Sequence, residues 1–168
     1  MSFEKIEINS LEFSPTKAIG ENWGILTGVS EKGFNSMTVS WGSVGVLWSR
    51  PCVFAFVRPE RYTYRFMEDG EFFSLAIMPE GIHKEMAVFG SKSGRDTDKY
   101  AVSGFTASEF EGVKFPEEAE TVFICRKIAA GDMKPEWFID SSIDPENYPK
   151  KDYHRMYVGE ILTVLKKS

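Results

Sequence analysis

Two arginines and a threonine lie close together in residues 58–63 (RPERYT), where an apolar segment ends and a helix is predicted to begin. Guanidinium groups, a hydroxyl and the free amides of a helix N-terminus are donors that bind phosphate in proteins. The segment therefore fits an anion site. A solvated pair of surface arginines, one of them bridged to Glu60, explains the same residue types.

A second basic segment covers residues 91–99 (SKSGRDTDK), directly after a predicted helix. Its hydroxyl side chains, its glycine and its three cations could enclose a second side of the same anion, with Asp96 or Thr97 capping the next helix. A solvated turn is the alternative. The segment lacks the GxxxxGK[ST] spacing of a phosphate-binding P-loop.

Residues 35–41 (NSMTVSW) alternate between apolar and hydroxyl side chains, which predicts a strand. One face carries Met37, Val39 and Trp41, and the other carries Ser36, Thr38 and Ser40. The hydroxyls and edge amides suit a planar ligand rich in heteroatoms. An ordinary half-exposed strand gives the same pattern. For Trp41 we expect a buried core position, with stacking on a ligand as the alternative.

His154 precedes the last predicted strand and could donate a hydrogen bond to a ligand carbonyl or act as an acid. A buried structural histidine is the alternative. The other histidine, His83, is far away in the sequence, so no spacing typical of metal ligands occurs. The sequence also shows no Ser-His-Asp or Cys-His set and no paired carboxylates. We expect no protein-bound metal.

The chain has 168 residues and a net charge of −5, with 42% hydrophobic and 14% aromatic residues. This composition fits a single domain with a large core, and the acidic balance argues against a nucleic-acid or anionic-membrane binder. Cys52 and Cys125 lie in apolar runs outside any CxxC motif, which indicates buried thiols in a reducing compartment. The sequence begins without a signal-like segment, and no apolar run is long enough to cross a bilayer. We therefore expect a cytoplasmic protein.

Short strand patterns dominate the chain and are joined by turns. Strands are predicted at 23–29, 35–41, 52–57, 71–77, 121–130 and 155–165, and helices at 61–69, 79–90 and 96–102. Residues 131–153 contain three prolines and form a long excursion between the last two strands. This order predicts a mainly β fold, an antiparallel barrel with added helices. No GxGxxG motif follows a strand, so a Rossmann dinucleotide site is not supported.

Six segments follow one another along the chain, and their order is informative: NSMTVSW, WSRP, RPERYTY, EFFSLAI, SKSGRDTDKY and HRMYVGEI. From about Ile19 to Leu165 the sequence resembles the flavin reductase-like family of FMN-binding split barrels, in particular its flavoredoxin-type branch. The resemblance implies that residues 1–168 form one domain, a six-stranded antiparallel Greek-key split barrel. It also implies a homodimer that holds FMN near the subunit interface.

The resemblance assigns FMN contacts to residues from all three polar segments. They are Asn35, Met37, Thr38, Ser40, Trp41, Arg58, Arg61, Tyr62, Thr63, Ser93, Gly94, Arg95 and Lys99. It implies either an enzyme that passes hydride from NADH or NADPH to flavin, or an FMN electron carrier that is fed by a protein partner. A third hypothesis is a non-catalytic binder of flavin or another phosphorylated ring compound. The excursion at 131–153, with Trp137, Phe138 and Tyr148, would be a lid over the ring or a dimer contact.

Overall fold

The computed structural model describes residues 2–168 and is mainly β, as predicted. The ten strands are β1 Phe3–Ile6, β2 Gly24–Ser30, β3 Gly33–Val39, β4 Gly42–Leu47, β5 Arg50–Val57, β6 Phe72–Ile77, β7 Ala107–Phe110, β8 Val113–Pro116, β9 Thr121–Asp132 and β10 Arg155–Lys167. The helices are α1 Thr63–Asp69, α2 His83–Ser91, α3 Lys99–Ser103 and α4 Ile143–Asn147. A π-helical turn covers Thr16–Glu21, and 3₁₀ turns cover Ile8–Ser10 and Pro135–Trp137.

The main sheet has eight antiparallel strands in the order β3-β2-β6-β9-β10-β5-β4, with β1 paired to β10. The first and last strands of this path, β3 and β4, are consecutive in the chain but do not pair with each other within residues 2–168. Between them only Ser40 and Trp41 connect the two ends. The sheet is therefore a barrel that stays open at one seam, and the seam places the end of β3 beside the end of β5.

The six predicted strands are all present, but four further strands were not predicted. These are β1, β4 and the separate hairpin of β7 and β8. None of the four is an apolar run: β4 contains two glycines, and β1, β7 and β8 have four residues each. Only β1 pairs with a distant strand, β10, whereas β4 pairs with β5 and β7 pairs with β8 across tight turns. Segments this short or this rich in glycine carry too little apolar pattern to predict a strand.

The predicted helices exist with later starts. The helix predicted from residue 61 begins at Thr63, and the one predicted near Pro79 begins at His83, after Gly81 adopts a left-handed φ of 86°. The prediction that Asp96 or Thr97 caps α3 is wrong. Asp98 is the cap, and its carboxylate accepts hydrogen bonds from the amides of Tyr100 and Ala101. The capping residue of α3 therefore lies one or two positions later in the sequence than predicted.

Two apolar clusters lie on opposite faces of the sheet. The cluster inside the barrel is built around Leu26, Phe73, Phe123 and Tyr157, and the outer cluster packs α2 and the β7–β8 hairpin onto the sheet. Cys52 and Cys125 are buried and free, as predicted. In the described part of the chain, no helix is long and apolar enough to span a membrane.

Candidate functional site

A cleft of about 220 Å³ opens at the seam of the barrel. Its lining comes from the end of β3 and the turn after it, the end of β5 and the residues that follow it, and the start of β10. These residues are Met37, Thr38, Val39, Ser40, Trp41, Phe56, Arg58, Arg61 and His154. Three wider surface grooves, of about 570, 650 and 470 Å³, contain none of the predicted site residues. The cleft is therefore the candidate site.

The main chain of β3 supplies polar groups to this region. Because β3 is the end strand of the sheet, it pairs only with β2. The carbonyl of Ser36 points away from β2, since it accepts a hydrogen bond from Lys99 Nζ at 2.9 Å. In an antiparallel pair this direction repeats at every second residue, so Thr38 also directs its amide and carbonyl away from β2. The Ser36 carbonyl is bound by Lys99, whereas the outward amide and carbonyl of Thr38, which lines the cleft, face no neighbouring strand within residues 2–168.

The polar side chains of β3 are largely engaged within the protein. Asn35 Nδ2 donates to Thr63 Oγ1 at 2.7 Å, and Thr38 Oγ1 donates to the carbonyl of Met86 at 2.5 Å. Ser36 Oγ lies 2.9 Å from the hydroxyl of Tyr100, and burial raises the pKa of Tyr100 to about 12. These bonds fix β3 to α1, α2 and α3. They leave the main chain of β3 as the more available donor set.

Trp41 is not a core residue, so that prediction is wrong. Its side chain is 48% exposed, and its ring centroid lies 5.2 Å from that of His154. The apolar alternation holds for Met37 and Val39, which are buried, and stops where β3 ends at Val39. Trp41 lies in the turn beyond the strand. It forms an open aromatic wall of the cleft.

Arg61, which lines the cleft, and Lys99, which is buried outside the lining, converge on one acceptor. Arg61 Nη2 and Lys99 Nζ each donate to the carbonyl of Phe89 at 3.1 Å. Lys99 is only 5% exposed. Burial and the nearby Arg61 charge lower the pKa of Lys99 to about 8, and burial lowers the pKa of Arg61. The two cations are therefore close together and poorly solvated.

Neither of these cations has a carboxylate partner. The ion pairs formed by residues 2–168 include neither Arg61 nor Lys99, and the acceptors of both are neutral carbonyls. Burying like charges without a counter-charge is costly. An anion bound between them would relieve this cost. The donor set, one guanidinium and one ammonium, fits a phosphate group.

The loop after α2 is packed tightly beside this pair. A Cβ on Gly94 would collide with the Asn35 amide and would also lie 3.0 Å from the Tyr62 ring, so only glycine fits. Arg95 is exposed, and its guanidinium lies 4.9 Å from the centroid of the Tyr62 ring. Ser93 Oγ accepts from the amide of Arg95. Tyr62, Thr63 and this loop therefore surround the cation pair, outside the lining of the cleft itself.

Arg58 lines the cleft, but its donors are engaged by the excursion. Its guanidinium donates to the carbonyl of Asn147 at 2.8 Å and forms an ion pair with Asp152 Oδ2 at 2.8 Å. It also lies 4.9 Å from the centroid of the Tyr148 ring. Although Arg58 and Arg61 are three residues apart, only Arg61 lacks a carboxylate partner. Arg58 anchors residues 143–153 against the barrel.

His154 is 8% exposed and lies in the wall opposite the cation pair. Its Nδ1 is 2.8 Å from the hydroxyl of Tyr148. Burial and the Arg58 charge lower the pKa of His154 to about 4, so the imidazole is neutral at pH 7. Sequence reasoning missed this pairing and missed Phe56 in the lining. Phe56 could have been found from its position two residues before Arg58 on β5, on the same face of the strand.

The described residues contain no group of three or more His, Cys, Asp and Glu side chains that could hold a metal ion.

The fold and this cleft define a split barrel with a cleft beside two cations that have no carboxylate partner within residues 2–168. Residues 17–167 match the family described as "Flavin reductase like domain", so the chain belongs to that family. No curated protein matches the sequence.

Solved structures with the same fold agree. Flavoredoxin from Methanosarcina acetivorans has a TM-score of 0.68 at 21% identity, over 98% of this chain and 76% of that chain. An FMN-binding domain of a flavin reductase-like enzyme from Shewanella baltica has a TM-score of 0.68 at 15% identity, over 98% and 77%. The NADH:FAD oxidoreductase SgcE6 of Streptomyces globisporus, in complex with NAD and FAD fragments, has a TM-score of 0.64 at 16% identity, over 87% and 75%. At these identities the likeness establishes the fold.

Proposed function

We propose that this protein binds FMN in the seam cleft and transfers hydride from NADH or NADPH to flavin. The observation that carries the proposal is a pair of cations without a carboxylate partner, half-buried Arg61 in the lining of the cleft and buried Lys99 next to it. A ligand that joins a phosphate to a planar, heteroatom-rich ring matches both parts of this site. FMN is such a ligand.

Each part of the cleft would have its own task. Arg61 and Lys99 would bind the phosphate, and the outward main-chain groups of β3 near Thr38 and Ser40 would hydrogen bond the ring. Trp41 would cover part of the ring and exclude water from it. The remaining residues that the family resemblance assigns would contact the ribityl chain, the phosphate or the ring edge: Asn35, Met37, Arg58, Tyr62, Thr63, Ser93, Gly94 and Arg95.

FMN, when bound, supplies the hydride-accepting chemistry, and the protein binds and orients the reactants. The protein would hold the nicotinamide against the ring without a Rossmann motif. His154 borders the cleft as a neutral imidazole that can hydrogen bond without adding charge. The SgcE6 structure, which is described with NAD and FAD fragments, supports a nicotinamide donor for this fold.

A second candidate function is a flavoredoxin-type electron carrier that receives electrons from a protein partner. The similarity to the Methanosarcina acetivorans flavoredoxin favours it. In that case FMN binding would be the same and the nicotinamide would not react. In a non-catalytic flavin binder, neither a nicotinamide nor a protein partner would reduce the bound flavin.

Anaerobic mixing of the FMN-loaded protein with NADH or NADPH distinguishes these functions. We expect loss of the flavin absorbance on mixing with at least one nicotinamide, at a rate that saturates with its concentration. No reduction by either nicotinamide, together with electron transfer from the photoreduced protein to an added acceptor protein, would support the carrier. Photoreduced FMN-loaded protein that fails to pass electrons to an added acceptor protein would support the non-catalytic binder.

We also propose a homodimer, as the family resemblance implies. Val46 is 73% exposed and Trp48 62% exposed at the β4–β5 hairpin, and large apolar side chains at such positions favour association. The buried free cysteines are compatible with the cytoplasmic location that we expect. Sedimentation of the purified protein tests the dimer.

A further inference from the structure

Tyr148, from the excursion, meets His154 at the wall of the cleft. The tyrosine hydroxyl lies 2.8 Å from His154 Nδ1, and the two side chains are 3% and 8% exposed. Both groups are thus removed from bulk water. A hydrogen bond between two such groups fixes which ring nitrogen carries the proton.

The proton in this bond belongs to the tyrosine. Burial raises the pKa of Tyr148 and lowers that of His154, so the pair consists of a neutral phenol and a neutral imidazole. Within residues 2–168 the one other acceptor within reach of the hydroxyl is Met133 Sδ at 3.6 Å, and a thioether accepts weakly. The Arg58 guanidinium over the Tyr148 ring makes the hydroxyl a better donor. Tyr148 therefore donates to Nδ1.

Phe138 and Arg58 hold Tyr148 in this position. The Phe138 ring stacks on it with centroids 5.6 Å apart and planes 4° apart. Arg58 binds the neighbouring carbonyl of Asn147 and the carboxylate of Asp152. Arg58 and Asp152 are also the charged groups that act on His154, and they form an ion pair with each other. The local charge on the imidazole is therefore small.

With Nδ1 accepting, the proton of the neutral ring resides on Nε2. His154 lines the cleft, and within residues 2–168 its Nε2 has no hydrogen-bond partner. We propose that Tyr148 is a positioning residue that fixes His154 as the Nε2–H tautomer, so that the cleft presents a hydrogen-bond donor to an acceptor atom of the bound ring. The identity of that ring as a flavin rests on the function proposed above, whereas the tautomer does not.

Nitrogen NMR of the ligand-free protein tests the tautomer directly. Long-range proton–nitrogen correlation spectra distinguish Nδ1–H from Nε2–H, and His83→Gln assigns the two histidines. In the wild type we expect the Nε2–H pattern for His154. In Tyr148→Phe, which keeps the ring, we expect a mixture of tautomers. Tyr153→Phe is the matched control, because its hydroxyl bonds Asp144 and not His154.

Flavin affinity tests the role toward the ligand. Tyr148→Phe should weaken FMN and riboflavin equally, by about three- to tenfold, because the lost contact is at the ring and not at the phosphate. The proposal is overturned if wild-type His154 is the Nδ1–H tautomer, if Tyr148→Phe leaves the tautomer unchanged, or if the affinities do not change. If the wild type binds neither flavin while the tautomer behaves as expected, the proposed function fails and the assignment to Tyr148 stands.

Discussion

Arg58 and Arg61 show how two identical side chains three residues apart take different roles. Asp152 neutralises Arg58, which leaves it as an anchor for the excursion. Arg61 instead shares a carbonyl acceptor with Lys99 and has no ion-pair partner in residues 2–168. The sequence suggested an anion site from both arginines. It could not separate them, because Asp152 lies in a distant segment and comes close only in the fold.

Replacement of Arg61 by alanine should weaken FMN much more than riboflavin. The lost charge-assisted contact is worth roughly 1.5–3 kcal/mol, about 10- to 150-fold in affinity. Arg65→Ala is the matched control, since Arg65 is exposed and packs on the rings of Tyr62 and Phe66. Calorimetric titration with both flavins measures the difference. Equal losses for the two flavins would show that Arg61 does not bind the phosphate.

The affinity for FMN should decrease as the pH rises through 8. In the ligand-free protein the pKa of Lys99 is about 8, so the ammonium that attracts phosphate is present below pH 8 and is lost above it. The decrease should approach tenfold per pH unit, and riboflavin should not show it. Lys99→Arg keeps its charge and should flatten the profile. A wild-type profile that stays flat between about pH 7 and 9.5 would contradict the role of Lys99.

At the scale of elements, apolar and alternating runs correctly predicted six strands and three helices, because the apolar side chains of these segments are buried in the fold. The hairpin of β7 and β8 and the edge strands β1 and β4 could not be predicted, since short polar strands form only when a partner is present. Trp41 was misplaced for a related reason. The alternation reaches it in the sequence, but β3 ends at Val39.

Gly159 on β10 tests how the barrel is packed. A Cβ at this position would collide with the Phe73 ring and would lie 2.9 Å from Cys125 Cβ. Gly159→Ala should therefore lower the free energy of unfolding by roughly 1–3 kcal/mol. Gly45→Ala on β4, where a Cβ meets nothing within 4 Å, should change it little. Urea denaturation compares the two variants, and equal stabilities would refute the close packing.

The excursion is the second element that can be tested. Arg58→Met removes the bonds to Asn147 and Asp152 while it keeps much of the side-chain volume. We expect faster proteolytic cleavage within residues 139–152 and little change elsewhere. Arg50→Met, which loses only an exposed ion pair with Glu160, is the control. Cleavage rates that match the wild type would mean that Arg58 does not anchor this segment.

At the scale of the whole molecule, the open seam of the barrel creates the site. Four parts of the chain meet at the cleft: the C-terminal ends of β3 and β5, the residue before β10 and the turn at Trp41. They meet only because β3 and β4 remain unpaired within the described chain. The rest of the barrel positions these residues. Membership of the flavin reductase-like family and the cation pair beside the cleft both support the proposed ligand, FMN.

The most direct test of this account is the visible spectrum of the purified protein after incubation with FMN and removal of free flavin. We predict about one FMN retained per chain, with an absorption band shifted from that of free FMN because Trp41 and the main chain of β3 replace water around the ring. Retention of FMN should also exceed retention of riboflavin. A protein that retains neither flavin, or that retains both equally, would contradict a site built on Arg61 and Lys99.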